Sequence, residues 1–83
     1  GTVNALKQFK DNTGPDMQAW LRAKYNRITE PWKPFLFYGT GPSGWGFGIM
    51  LKYDNNINAV CIATTHGYRI ATYVTNDGGQ TWG

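Results

Sequence analysis

The sequence predicts an α+β domain, an N-terminal α-helix packed on a small antiparallel β-meander of three to four strands. Three observations predict it. Over residues 45–74 apolar side chains alternate with small or polar ones in three runs, each closed by turn residues. Over residues 17–28 the apolar spacing changes to that of a helix. Pro31 and Pro34 stand between the two regimes and force extended backbone there.

The chain has 83 residues, which suits a single domain. At this length folding buries only roughly 60–65% of the unfolded surface, so an isolated monomer is marginal. Four Trp, five Tyr and four Phe partly offset this, because each large ring can bury about 150–250 Å². So small a core cannot hide all of them, and some are expected at a subunit contact or a ligand surface. The net charge is only +3, and the basic residues are scattered along the chain. A clustered basic patch is the mark of a nucleic-acid reader, so no nucleic-acid partner is expected. Cys61 is the only cysteine, which rules out an intramolecular disulfide and a cysteine-built zinc site. It lies in an apolar run and reads as a small buried hydrophobe. No apolar run reaches the ~20 residues that span a bilayer, so no membrane insertion is expected. The chain begins at Gly1 and reads as a possible fragment of a longer protein.

Residues 1–12 are weakly patterned. Val3, Leu6 and Phe9 recur every third residue, as in a short helix or an arm packed on a neighbour. Residues 13–28 carry the helix, with its turns over about 15–26. Thr13 can cap it, Pro15 presets φ for the first turn, and Asp16 faces the free N–H groups. Met17, Trp20, Leu21, Tyr25 and Ile28 form its buried stripe. The sheet is expected over 34–83, starting with the apolar run Phe35, Leu36, Phe37 and Tyr38.

Gly39, Gly41 and Gly44 match the letters of a dinucleotide-binding fingerprint. The match is rejected, because the fingerprint needs a helix to open in that loop and strand-like alternation follows instead. A loop between strands is the expectation. Trp45, Phe47, Ile49, Leu51 and Tyr53 then share one face, with Gly46, Gly48, Met50 and Lys52 on the other. Asp54, Asn55 and Asn56 make a turn. Residues 57–65 carry apolar groups on both faces, as a strand covered on both sides would. Residues 68–74 alternate again, and His66 with Gly67 makes the short hairpin turn between these two runs.

Catalytic chemistry finds little purchase. His66 is the only histidine, and the five acids are dispersed. No carboxylate pair, nucleophile–base pair or zinc ligand set can be nominated from spacing. No cofactor and no enzymatic activity are therefore expected. Residues 75–82 fit the pattern [S/T]-x-D-x-G-x-T-W at every fixed position. In it Asp77 can accept hydrogen bonds from turn amides, Gly79 can take a positive φ, and Trp82 can fold back on the sheet. The pattern resembles the Asp box of sialidase-like propellers, where it is structural and recurs in each blade. A single copy in 83 residues makes a stable turn, not a glycosidase.

Across 34–83 the chain resembles the small knob domains at the tips of phage tail fibres and pyocin fibres. The resemblance rests on the glycine-rich loop before Trp45-Gly46-Phe47-Gly48, the Asn-rich turn, the strand Tyr68 to Tyr73, and the closing Asp77-Gly78-Gly79 turn with Trp82. The knobs usually carry a second Trp shortly after the first, which this chain lacks, and residues 13–28 lie outside their pattern. The resemblance implies a trimeric, non-enzymatic receptor-binding tip on a virion, or an extracellular relative, that recognises a bacterial surface glycan. Sugars stack on exposed rings and bond to Arg, Asn and Asp, so the candidate ligand-binding residues are Trp45, Tyr53, Tyr68, Arg69 and Tyr73. The alternative expectation is a structural or oligomerisation module of a larger viral or secreted protein.

Overall fold

A computed structural model describes residues 6–9, 17–42, 44–65 and 69–83. The elements are β1 (Leu6–Phe9), α1 (Met17–Tyr25), β2 (Phe35–Gly41), β3 (Gly44–Lys52), β4 (Ala59–Thr65) and β5 (Arg69–Thr75). The strands form one sheet in the order β1-β2-β3-β4-β5. From β2 to β5 the sheet is an antiparallel meander, and the helix precedes it and contacts β3. The fold class read from the sequence is thus the observed one.

Two local features differ from the expectation. Leu6–Phe9 is a short strand, paired in parallel with β2 from Leu6↔Leu36 to Phe9↔Gly39, where an arm or short helix was expected. Gly39 and Gly41 lie inside β2 and Gly44 opens β3, so little of that segment is loop. The pairing Gly41↔Gly44 leaves a two-residue hairpin connection. The helix start signals Thr13, Pro15 and Asp16, and the turn at His66 and Gly67, lie outside the described residues.

The helix stripe works as its spacing implies. Trp20, Leu21, Tyr25 and Ile28 are buried, and Met17 packs beside them. They meet Phe37, Met50, Ala59, Cys61 and Ala63 on one face of the sheet. Trp20 and Phe37 pack edge to face, with centroids 5.5 Å apart. The helix brings Trp20, Leu21 and Tyr25, and on the sheet Phe37 and Met50 stand among small residues. Gly48 is an example: a Cβ there would sit 2.5 Å from the Phe37 ring and 2.9 Å from the Ile62 carbonyl oxygen. Lys24 is fully buried on this face, its Nζ 3.8 Å from the Trp20 ring centroid and 4.7 Å from that of Phe37. Aromatic faces stabilise such a cation by their quadrupoles.

Among the described residues no helix lies on the opposite face. By the pleat, β3 turns Trp45, Phe47, Ile49 and Leu51 that way. β4 adds Val60 and Ile62, and β5 adds Ile70 and Val74. Trp45 is 67% exposed and Ile70 63%. The β4 strand, expected to be covered on both sides, is covered on one: Cys61 is buried, whereas its neighbour Ile62 is exposed.

Candidate functional site

The C-terminal turn is built around Asp77. Its Oδ1 accepts hydrogen bonds from the Gln80 and Thr81 amides at 3.1 and 3.0 Å, and from the Thr75 hydroxyl at 2.9 Å. Its Oδ2 accepts the Thr81 hydroxyl. The bonds from Thr81, above all from its hydroxyl, and then that from Thr75 hold the carboxyl at about 2, below the usual range. Gly79 has φ +83°, and a Cβ there would lie 2.5 Å from the Tyr25 ring. Trp82 is buried, donates its indole N–H to the Gly79 carbonyl at 3.0 Å, and packs edge-on against Tyr25 of the helix. Gln18 closes the link. Its amide donates to the Trp82 carbonyl and accepts from the Trp82 N–H, each at 2.7 Å. The Asp77 carboxylate spends its bonds on Thr75, Gln80 and Thr81, and the turn clasps the chain end to the helix through Trp82 and Gln18.

Of the five nominated ligand residues, the four that are described do not converge. Trp45 lies on the uncovered face. Tyr73 is half-buried on the helix-covered face, where burial pushes its phenol upward. Arg69 is exposed at the start of β5, and its register with Thr65 places it on the helix side. Tyr53 lies beyond the far end of β3. Tyr68 lies outside the described residues. Trp45, Tyr53, Arg69 and Tyr73 therefore do not share one surface.

Two other aromatic surfaces emerge instead. The first joins Tyr53 to Trp32, with ring centroids 4.8 Å apart and planes tilted by 49°. Trp32 is 52% exposed, and its backbone holds φ +61°. Such a conformation costs a bulky residue about 1–3 kcal/mol and persists only where its surroundings enforce it. Here the Trp32 N–H donates to the Lys52 carbonyl at 2.9 Å. The Lys52 ammonium in turn donates to the Ile28 carbonyl at 3.0 Å and rests 3.9 Å over the Tyr25 ring. Burial lowers its pKa. Polar groups flank the pair: Glu30 and Lys33 form an exposed ion pair at 3.8 Å. On the other side lies the Asn turn, where Asn55 Oδ1 accepts the Ile57 and Asn58 amides at 2.9 and 3.0 Å. Sequence reasoning missed Trp32 because Pro31 and Pro34 made the segment read only as a breaker.

The second surface is the uncovered sheet face, where Leu36, Phe47, Ile49, Ile62 and Ile70 border a shallow apolar groove floored by Gly48 and Ala63. Thr64 lies beside it between β3 and β4. Its hydroxyl accepts the Phe47 N–H at 3.0 Å and donates to the Phe47 carbonyl at 3.2 Å. Among the described residues no three His, Cys, Asp or Glu side chains gather as a metal site. Cys61 is buried, its thiol pushed up to about 12 by desolvation against the opposing field of Lys24. It is not poised as a nucleophile. Among the described residues no helix is long and apolar enough to cross a membrane. Compared with protein-family models, with curated proteins and with solved structures, the chain matches none of them.

Proposed function

We propose that this domain is a non-enzymatic receptor-binding tip of a phage tail fibre or a related viral structural protein, and that it recognises a bacterial surface saccharide. The observation that carries the reading is the Trp32–Tyr53 pair. Two exposed rings stand in a polar setting, Trp32 on backbone held in a costly conformation. Ring faces of this kind suit the C–H faces of a sugar, and the Asn-rich turn and the Glu30–Lys33 pair offer partners for hydroxyls. The fibre-knob resemblance over 34–83 supplies the biological setting, a virion or extracellular surface, and its threefold symmetry.

Trp32→Ala and Tyr53→Ala test this. Each is expected to weaken binding to isolated bacterial envelope saccharides at least tenfold while leaving the far-ultraviolet circular dichroism unchanged. Binding equal to the wild type in both variants, or no binding by the wild type across a broad glycan array, contradicts the reading.

A second reading, a structural or oligomerisation module of a larger viral or secreted protein, is favoured by a different observation. The uncovered sheet face carries large apolar side chains of the kind that protein contacts bury. The two readings are compatible, because they use different surfaces.

A further inference from the structure

We propose that further copies of this same chain cover the uncovered face of the sheet, packing it against its own equivalent. The inference deepens the oligomerisation reading and rests on it; the saccharide reading stands apart.

The face is continuous across β2 to β5, with Trp45, Phe47, Ile49, Ile62, Ile70 and Val74 as its most prominent apolar members. Strands about 4.8 Å apart and about 3.3 Å per residue, with rings worth about 150–250 Å² standing on them, present on the order of 600–800 Å². The largest apolar patch on an ordinary monomer is about 300–600 Å². A standard interface takes about 800 Å² per partner. The face is therefore of the size that one stable contact needs.

Charge selects the occupant. Among the described residues that the pleat directs to this face, none is Asp, Glu, Lys or Arg. An acidic or basic partner would find no counter-charge here. A second copy brings the same neutral apolar surface, so neither side buries an unpaired charge. Of the polar side chains here, the Thr64 hydroxyl already bonds both backbone groups of Phe47 and can be covered at little cost, and Thr72, paired with Ile62, adds one exposed hydroxyl. Two sheets stacked in this way sit about 10 Å apart with interdigitated side chains. Such cover would also add to the modest share of surface that a domain of this size buries alone.

Sedimentation analysis of the 83-residue chain from 1 to several hundred micromolar tests the proposal, together with the single variants Ile70→Lys and Phe47→Lys. Both positions are so exposed that the fold tolerates the change, and circular dichroism verifies this. The expected result is a dimer or trimer of the wild type, with each lysine raising the dissociation constant at least tenfold. An oligomer that persists unchanged in both variants overturns this face as the contact but leaves an assembly role standing. A wild type that stays monomeric throughout overturns both. Neither result bears on saccharide binding, which reads Trp32.

Discussion

The two faces of the sheet are made from one alternating sequence and have opposite fates. One face carries Phe37, Gly48, Met50, Ala59, Cys61 and Ala63, most of them small, and it is buried under the helix. The other carries Trp45, Phe47, Ile62 and Ile70, which are all large and exposed. Hydrophobicity alone would bury the second face first. Size complementarity decides otherwise within the chain: Trp20 packs edge to face on Phe37 and closes on Gly41, Tyr25 closes on Gly79, and Gly48, Ala59, Cys61 and Ala63 leave room between them. The face with the greater exposed apolar area is the one the helix does not cover. The side of a sheet with the greatest apolar area is thus not automatically its core.

This contrast can be broken by substitution, and the largest effect belongs to the covered side. Trp82→Ala removes a buried ring that holds the chain end against Tyr25, and the expected loss is about 3–5 kcal/mol. Against a total stability of about 5–15 kcal/mol, that is a large share of what holds the domain folded. Ile70→Ala on the exposed face is expected to change the folding stability of the dilute chain by less than about 1 kcal/mol. Chemical denaturation of the two variants compares them, and equal losses would remove the distinction between the faces.

Gly48→Ala comes next. The added methyl meets the Phe37 ring, the Ala63 methyl and the Ile62 carbonyl within 3 Å, and overpacking of this kind costs about 1–3 kcal/mol. A neutral or stabilising result in a thermal melt would mean that the packing of β2, β3 and β4 around Phe37 is looser than described.

The smallest effect sharpens the role of the clasp. The folded Asp77 carboxyl sits at about 2, below its ordinary 3.8. A depressed carboxylate stabilises the fold above its unfolded value and loses that contribution as pH falls through the folded one. Stability is therefore expected to decline between about pH 4 and pH 2 in the wild type, and Asp77→Asn is expected to flatten that decline. A pH series of thermal midpoints with parallel slopes for both proteins would contradict it.

Much of this fold could be read from residue order because its signals are periodic. The helix stripe from Met17 to Ile28 and the alternation from Trp45 to Val74 each repeat often enough to identify an element. β1 escaped because Leu6-Lys7-Gln8-Phe9 is too short to display a period, and its parallel partner Leu36 to Gly39 lies some 30 residues away. Which face the helix covers was not legible either, since it depends on the fit of Trp20 and Tyr25 against glycine and alanine. The candidate site was read least well. Tyr53 was nominated for its ring, but its companion Trp32 arrives through a backbone conformation with positive φ that no local pattern announces. Tyr73 was nominated as a surface ring and lies on the covered face, because alternation assigns faces without saying which one meets solvent.

Carbene footprinting of the native chain across a concentration series tests the central division most directly. With rising concentration, labelling of Trp45, Phe47 and Ile70 is predicted to fall several-fold, while Trp32 and Tyr53 stay as accessible as in dilute solution. Labelling of all five residues that does not change with concentration would contradict the account.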